Sequence, residues 1–322
     1  MTASGKTVGV ILLNLGGPER VADVRPFLYN LFSDRLIIRL GPALLQKPIA
    51  WLIAKRRAPK SQGYYRQIGG GSPLNSITAN QCRALEADLS GHGLFQVGMV
   101  MRYWHPFAGE VIPKMLAQGI TRFVALTLYP HYSIATTGSS LKDLKEYLAT
   151  QSTSVELVEI DSWPDDPAYV DCLAARVSEA LGPDEVAEVV YSAHSLPVKF
   201  IEEGDPYVDH LKRTIAAIEA RTGKQGHLCF QSRSGPVEWL SPSTPETIER
   251  LAGLGCRRIV MVPISFVSDH VETLCEIDIQ YRALAAGLGV DLIRTPSLNT
   301  DPVFIKGLKG LVLSSCTAKG WI

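Results

Sequence analysis

Eight short apolar runs, rich in β-branched residues, punctuate this chain of 322 residues, and the stretches between them have helical length. The runs are TVGVILL, FQVGMVM, RFVALTL, VELVEI, VAEVVYS, GHLCF, RRIVMVP and VDLIR. Helices are expected between them, near residues 78–90, 107–118, 138–149, 167–181, 206–222, 244–254, 270–286 and 301–314. In the first of these, Cys82, Leu85 and Leu89 fall on one face, as a helical period requires. Thr244 followed by Pro245 reads as an N-cap and a first helical residue. Strands apolar on both faces that alternate with helices imply an α/β fold of parallel sheets covered on both sides. Two four-stranded halves fit better than one sheet of eight, because the strand–loop–helix order repeats around the polar break ATQSTS at 149–154. The domains are therefore placed at residues 1–151 and 152–300, and the last helix, within 301–322, can return to the first half.

Composition narrows the function classes. Lys plus Arg and Asp plus Glu both number 32, so the net charge is zero. Nucleic-acid binders carry a basic excess that displaces counterions from phosphate, and no partner of that kind is expected. An apolar fraction of 46% without net charge also excludes a disordered chain. Six scattered cysteines offer neither a disulfide framework nor a thiolate zinc site, which points to reduced thiols in the cytoplasm. The early run VGVILLNL is expected to be a first buried strand, since no A-x-A cleavage site follows it. No stretch is long and apolar enough to span a bilayer. The segment LIIRLGPALLQKPIAWLIAKRR is broken by Arg39, Pro42, Lys47 and Pro48, so residues 35–54 allow peripheral contact with a membrane at most.

Open α/β sheets bind ligands beyond the carboxyl ends of their strands. The loops to inspect are therefore NLGGP, MRYWHP, LYPHYS, SAHSLP, FQSRSGP and ISFVSDHVE. They contain no nucleophile elbow, no phosphate-binding lysine loop, no H-E-x-x-H and no dinucleotide fingerprint. The glycines of NLGGP and IGGGSP suit either an anion site or plain tight turns. His194 follows an apolar strand directly, where an imidazole can accept a proton at neutral pH or ligate a metal. Glu272, Glu276 and Gln280 recur every four residues along one helix face, and Asp269 extends the row toward the helix start. Aromatic residues crowd the same loops, among them Tyr65, Tyr129 and Trp239. Together they suit a flat apolar ligand, with Arg102 and Arg233 available to pair with carboxylates on its rim.

The blocks NLGGP, YRQIGGGSPL, MRYWHP, LYPHYS with TTGSS, SAHSLP with EEGDPY, FQSRSGPVEWLSP and PISFVSDHVETLCEIDIQY follow one another over residues 8–300. In content and order the series resembles the ferrochelatases, of bacterial type. The resemblance implies two Rossmann-like, chelatase-like domains with a porphyrin and metal cleft between them. It also implies insertion of Fe(II) into protoporphyrin IX, the final step of haem biosynthesis. It assigns catalysis to His194 and Glu272, and metal contact to these two with Asp269, His270 and Glu276. Porphyrin contact falls to Tyr65, Arg102, Tyr129, Trp239 and Arg233. Iron enters as substrate, and no other cofactor is obligatory. A [2Fe–2S] cluster is not expected, because only Cys316 lies near the C-terminus. Gln280 stands where the family often has an acid. The rival readings are a chelatase for coproporphyrin or cobalt, and a tetrapyrrole-binding protein without catalysis.

Overall fold

The computed structural model describes residues 6–182, 186–233 and 235–322. Its strands form two separate four-stranded sheets, both wholly parallel. The first contains β1 (Val8–Asn14), β2 (Phe95–Met101), β3 (Arg122–Thr127) and β4 (Glu156–Ile160), in the order β2-β1-β3-β4. The second contains β5 (Glu188–His194), β6 (Gly226–Gln231), β7 (Arg258–Pro263) and β8 (Asp291–Arg294), in the order β6-β5-β7-β8. The strand order is the same in both. In each, the chain leaves the first strand for one neighbour and then crosses to the other side. The carboxyl ends of β1 and β3, and of β5 and β7, are therefore topological switch points, where flanking loops diverge and leave a crevice.

The chain divides into two compact units, Met1–Trp163 with Asn299–Ile322, and Pro164–Leu298. This corrects the boundary drawn at residue 151. The run VELVEI belongs to the first sheet, where Arg122 to Leu126 pair with Glu156 to Ile160. The polar break is only the turn that leads into β4. Sheet membership depends on pairing register, which no local composition reports.

The first unit carries helices α1 (Val24–Ser33), α2 (Gln46–Gln67), α3 (Leu74–Leu89), α4 (Ala108–Ala117) and α5 (Ser139–Ala149); α3, α4 and α5 pack on the sheet, and α1 and α2 on each other. Ile11, Leu13, Val100, Ile112, Phe123 and Leu144 form part of its core. The second unit carries α6 (Pro167–Leu181), α7 (Val198–Glu202), α8 (Tyr207–Thr222), α9 (Thr244–Gly253) and α10 (Arg282–Gly287). Val190, Ile248, Met261 and Ile277 lie in its core. Each such side chain contributes roughly 1.5–3 kcal/mol on burial. The cap of α9 is Ser243, one residue before the position read from sequence; its hydroxyl accepts the Glu246 N–H at 3.3 Å. The last helix, α11 (Pro302–Ala318), belongs to the first unit and packs on α3, with Lys309 reaching Asp88 at 3.7 Å. Among the described residues no helix is long and apolar enough to cross a membrane.

In the two glycine-rich loops, close packing accounts for Gly16, Gly17 and Gly71, and positive φ for Gly69 and Gly70. A Cβ on Gly71 would stand 2.0 Å from the Glu19 carbonyl oxygen. The Ser72 N–H donates to the Pro18 carbonyl at 2.7 Å, and the Gly17 N–H to Asn75 Oδ1 at 3.1 Å. With these two amides spent inside the protein, neither is available to an anion.

Candidate active site in the second unit

β5 ends at His194, paired in register with Gln231 of β6. The backbone of His194 is fixed on both sides. Its N–H donates to Ser265 Oγ at 3.0 Å, and its carbonyl accepts from the Tyr207 hydroxyl at 3.0 Å. The ring Nδ1 lies 2.8 Å from Glu272 Oε2, while 39% of the side-chain surface stays open. Desolvation pulls the imidazole pKa down, but the Glu272 carboxylate outweighs it and the net direction is upward. Burial likewise opposes the Glu272 charge, and the neighbouring His194 overcomes it, holding that carboxyl at about 2.

Glu272 opens a helical segment, Glu272–Tyr281, that is wound as a π-helix and not as the α-helix expected at 270–286. Its i→i+5 bonds make a wider turn, a form found frequently at functional sites. Residues four apart still share a face on it, so Glu276 remains beside Glu272. Residues five apart also align, which brings the Tyr281 hydroxyl to 3.5 Å from Glu276 Oε2. Gln280 leaves the row, its amide turned to Cys275 Sγ at 3.6 Å.

Ser232 bridges the two acids. Its hydroxyl stands 2.8 Å from Glu272 Oε2 and 2.6 Å from Glu276 Oε2, and the Gln231 amide reaches the same oxygens at 3.4 and 3.3 Å. A hydroxyl has one proton to donate, so it serves both acids only when one of them is itself protonated. Glu276 is that acid: burial and the Glu272 charge raise its pKa to about 7. The Ser192 hydroxyl fixes the Gln231 amide by donating to its Oε1 at 2.7 Å.

The other expected metal residues divide. His270 Nδ1 faces the Ser268 carbonyl at 3.1 Å, and a carbonyl only accepts, so Nδ1 carries the proton. That leaves Nε2 bare, 3.9 Å from Glu272 Oε1. Burial lowers the His270 pKa and favours the neutral ring. Asp269 is engaged by other partners. Its Oδ1 accepts from Arg294 at 3.0 Å, Ser297 at 2.8 Å and Thr273 at 3.1 Å. Among the described residues no three His, Cys, Asp or Glu side chains are grouped to hold a metal ion. The acids here are joined through a hydroxyl and an amide rather than around a ligand cage.

Trp239 and Arg233 follow β6 in the same unit. Trp239 pairs with Pro197 across a short bridge, and its buried indole N–H has no hydrogen-bond partner among the described residues. Arg233 donates to the Leu240 carbonyl at 2.7 Å. The remaining residues expected at a porphyrin lie in the first unit. Tyr65 is buried in α2, and the Tyr129 hydroxyl lies 3.3 Å from Ser140 Oγ. Arg102 is held by Asp34 at 2.9 Å, Asp143 at 3.2 Å and Ser139 at 2.7 Å. It is thus a neutralised cation beside a cavity of about 450 Å³ lined by Asp34, Asp143, Lys47 and Tyr29.

Sequence reasoning missed Ser232, Gln231, Tyr207 and Ser265 at the first site, and Asp34 at the second. The first two stand in FQSRSGP, a loop already marked by its position after β6. For Tyr207 and Asp34 nothing local signals the contact.

Two units, each built on a parallel sheet of the same strand order, define a protein of chelatase fold. The chain aligns with the structure of SirB from Bacillus subtilis with Fe3+ over 98% of both chains, at TM-score 0.59 and 14% identity. The structure of CbiX, described as a terminal enzyme of siroheme biosynthesis in denitrifying bacteria, aligns at TM-score 0.51 and 13% identity, over 95% of this chain and 99% of that one. A sequence model of ferrochelatase matches residues 7–316. The ferrochelatase of Desulfotalea psychrophila is 60% identical over 309 residues, covering 95% of this chain and 97% of that protein. That of Geotalea uraniireducens is 51% identical, covering 94% and 96%. The chain belongs to the ferrochelatase family.

Proposed function

We propose that this chain inserts Fe(II) into protoporphyrin IX to give protohaem, with His194 and Glu272 as its catalytic pair. The reaction breaks two pyrrole N–H bonds, forms four Fe–N bonds, releases two protons and transfers no electron to or from iron. It needs a base at the macrocycle centre and a path for the protons. The observation that carries the reading is the 2.8 Å contact between His194 Nδ1 and Glu272, at an imidazole that stays partly exposed. With Nδ1–H donated to the carboxylate, Nε2 presents its lone pair to a pyrrole N–H, and Glu272 stabilises the imidazolium that forms. Glu276, joined through Ser232, is the next group able to exchange a proton near neutral pH. Iron is a substrate of this site, handled by His194, Glu272, Glu276 and the bare Nε2 of His270. The geometry of Asp269 supports a supporting role for it instead.

For the porphyrin we propose contact with Trp239 and Arg233, and with Tyr65, Arg102 and Tyr129. Arg102 already balances two carboxylates, so its role is to shape the wall more than to hold a propionate. Peripheral membrane contact is proposed through Leu44, Leu45, Trp51 and Leu52, which are exposed around the start of α2, with Arg25 and Lys55 stacked on Trp51. Flotation with anionic vesicles tests it; protein that stays at the bottom of the gradient removes this part.

Anaerobic mixing with Fe(II) and protoporphyrin is expected to replace the free-base spectrum with that of haem. His194→Ala is expected to lose nearly all turnover while keeping its fold. Porphyrin binding without metal incorporation would reduce the protein to a carrier. Faster turnover with coproporphyrin or Co(II) in competition would reassign the substrate.

A further inference from the structure

We propose that Arg294 is a positioning residue, tying the residue stretch before the π-helix to its later half so that Glu272 and Glu276 face Ser232. The inference rests on the reading of those two acids as the proton- and iron-handling groups.

Arg294 ends β8, and its side chain is 10% exposed. Its Nε and Nη2 hold both oxygens of Asp278, at 2.9 and 2.8 Å. Its Nη1 donates to Asp269 Oδ1 at 3.0 Å and lies 3.3 Å from both the Thr295 carbonyl and Ser297 Oγ. Asp269 precedes the π segment and Asp278 sits in its later half. Glu272 and Glu276 lie between these two anchors. Rewinding the segment as an α-helix would rotate Asp278 relative to Asp269, and one guanidinium could no longer hold both. The clamp therefore selects the wider winding, which helices seldom adopt unaided.

The chemistry requires arginine. A planar fork grips one carboxylate bidentately and still has a donor for the second, whereas an ammonium is a point charge that offers no fork. A buried ion-pair network is weak evidence for stability but can fix one conformation among several. Arg282 approaches Asp278 from the more exposed side at 3.6 Å and takes no part in this selection.

The test compares Arg294→Gln, Arg294→Lys, Asp278→Asn and the control Arg282→Gln with the unmodified protein, well below the melting temperature of each. In Arg294→Gln, kcat is expected to fall about tenfold or more, with the Kd for protoporphyrin within about twofold. Arg294→Lys is expected to recover only part of the loss, and Arg282→Gln to stay within about twofold. Amide exchange across residues 272–281 is expected to quicken in both Arg294 variants. Folded Arg294 variants with unchanged kcat and unchanged exchange would overturn the inference, as would a loss of activity that merely follows the unfolded fraction. If Arg294→Gln fails to fold, Asp278→Asn, which keeps the pair with Asp269, carries the same readouts. Should the unmodified protein insert no iron, the functional reading fails instead, and the exchange measurement alone decides whether Arg294 holds the segment.

Discussion

Ser232 holds a backbone φ of 64°, a region that side chains other than glycine enter at a cost of about 1–3 kcal/mol. The cost is offset by what the position gives: a hydroxyl between Glu272 and Glu276. Ser232→Gly and Ser232→Ala both delete the hydroxyl, but only glycine relieves the backbone. Both are expected to lower kcat, and the glycine variant to be the more stable by about 1 kcal/mol in urea unfolding. Equal kcat to the unmodified protein would remove the bridge from the mechanism. His194 gives a pH prediction with a definite sign. The ring works as a base only when neutral, so activity rises with pH through its elevated pKa. Glu272→Gln removes the larger of the two charges that raise it, leaving desolvation, which lowers it, against the weaker pull of Glu276. The acid limb of the kcat profile should move to lower pH as the maximum falls; an unmoved limb would detach it from His194. Stability follows the same pair. The His194 contribution is full below the ordinary 6.5 and lost as pH rises through its folded value. The Glu272 contribution is full above the ordinary 4.5 and lost as pH falls toward about 2. The pair therefore stabilises most between these two ordinary values, where Glu272→Gln should cost most.

The π-helix shows how far local patterns reach. The spacing of Glu272 and Glu276 correctly marked one face, because residues four apart share a face on either winding. For the same reason the spacing could not tell π from α. Gln280 extends that row in the sequence but not in space, where it turns to Cys275. Restoring an acid with Gln280→Glu should leave kcat/KM for iron within about twofold, since an exposed carboxylate there is largely screened. A larger gain would show that iron travels along that end of the helix. The eight strands were legible because each is a local apolar run; the central strands β1, β3, β5 and β7 are buried on both faces, whereas the edge strands are only partly covered. Helices α1 and α2 were not, and α2 shows why. Its buried face is made mainly of Ala50, Ala54 and Ala58, with Tyr65 and Gln46, a weak apolar signal interrupted by Pro59. The resemblance places Asp269 with the metal residues, and the surroundings of its side chain were not legible from the sequence. It neighbours the acidic row in sequence, whereas Arg294, which fixes it, lies 25 residues away. Contacts of that separation are set by the return of β8 to the sheet, and composition carries no trace of them.

At the scale of the whole chain, the first unit is discontinuous: its last helix arrives only after the second unit has been completed. α11 supplies Phe304, Ile305, Leu308 and Val312, all nearly inaccessible, and Trp163 packs against Phe304 with ring centroids 5.9 Å apart. Burial of four such side chains is worth roughly 6–12 kcal/mol at about 1.5–3 kcal/mol each. That equals the net stability of a typical domain, about 5–15 kcal/mol. Removal of residues 301–322 should therefore unfold the first unit, not merely loosen it. The second unit keeps its own core, including Val190, Met261 and Ile277, and loses none of it to this truncation. Limited proteolysis of the truncated protein is expected to degrade residues 1–163 while sparing a fragment close to 164–298. Leu308→Ala in the full chain provides the graded comparison, with a loss of about 2–5 kcal/mol and both units still folded. A truncated protein that resists protease throughout would mean that α3 and the sheet close over the exposed face without α11. The late return of the chain would then be a covering and not a condition of folding.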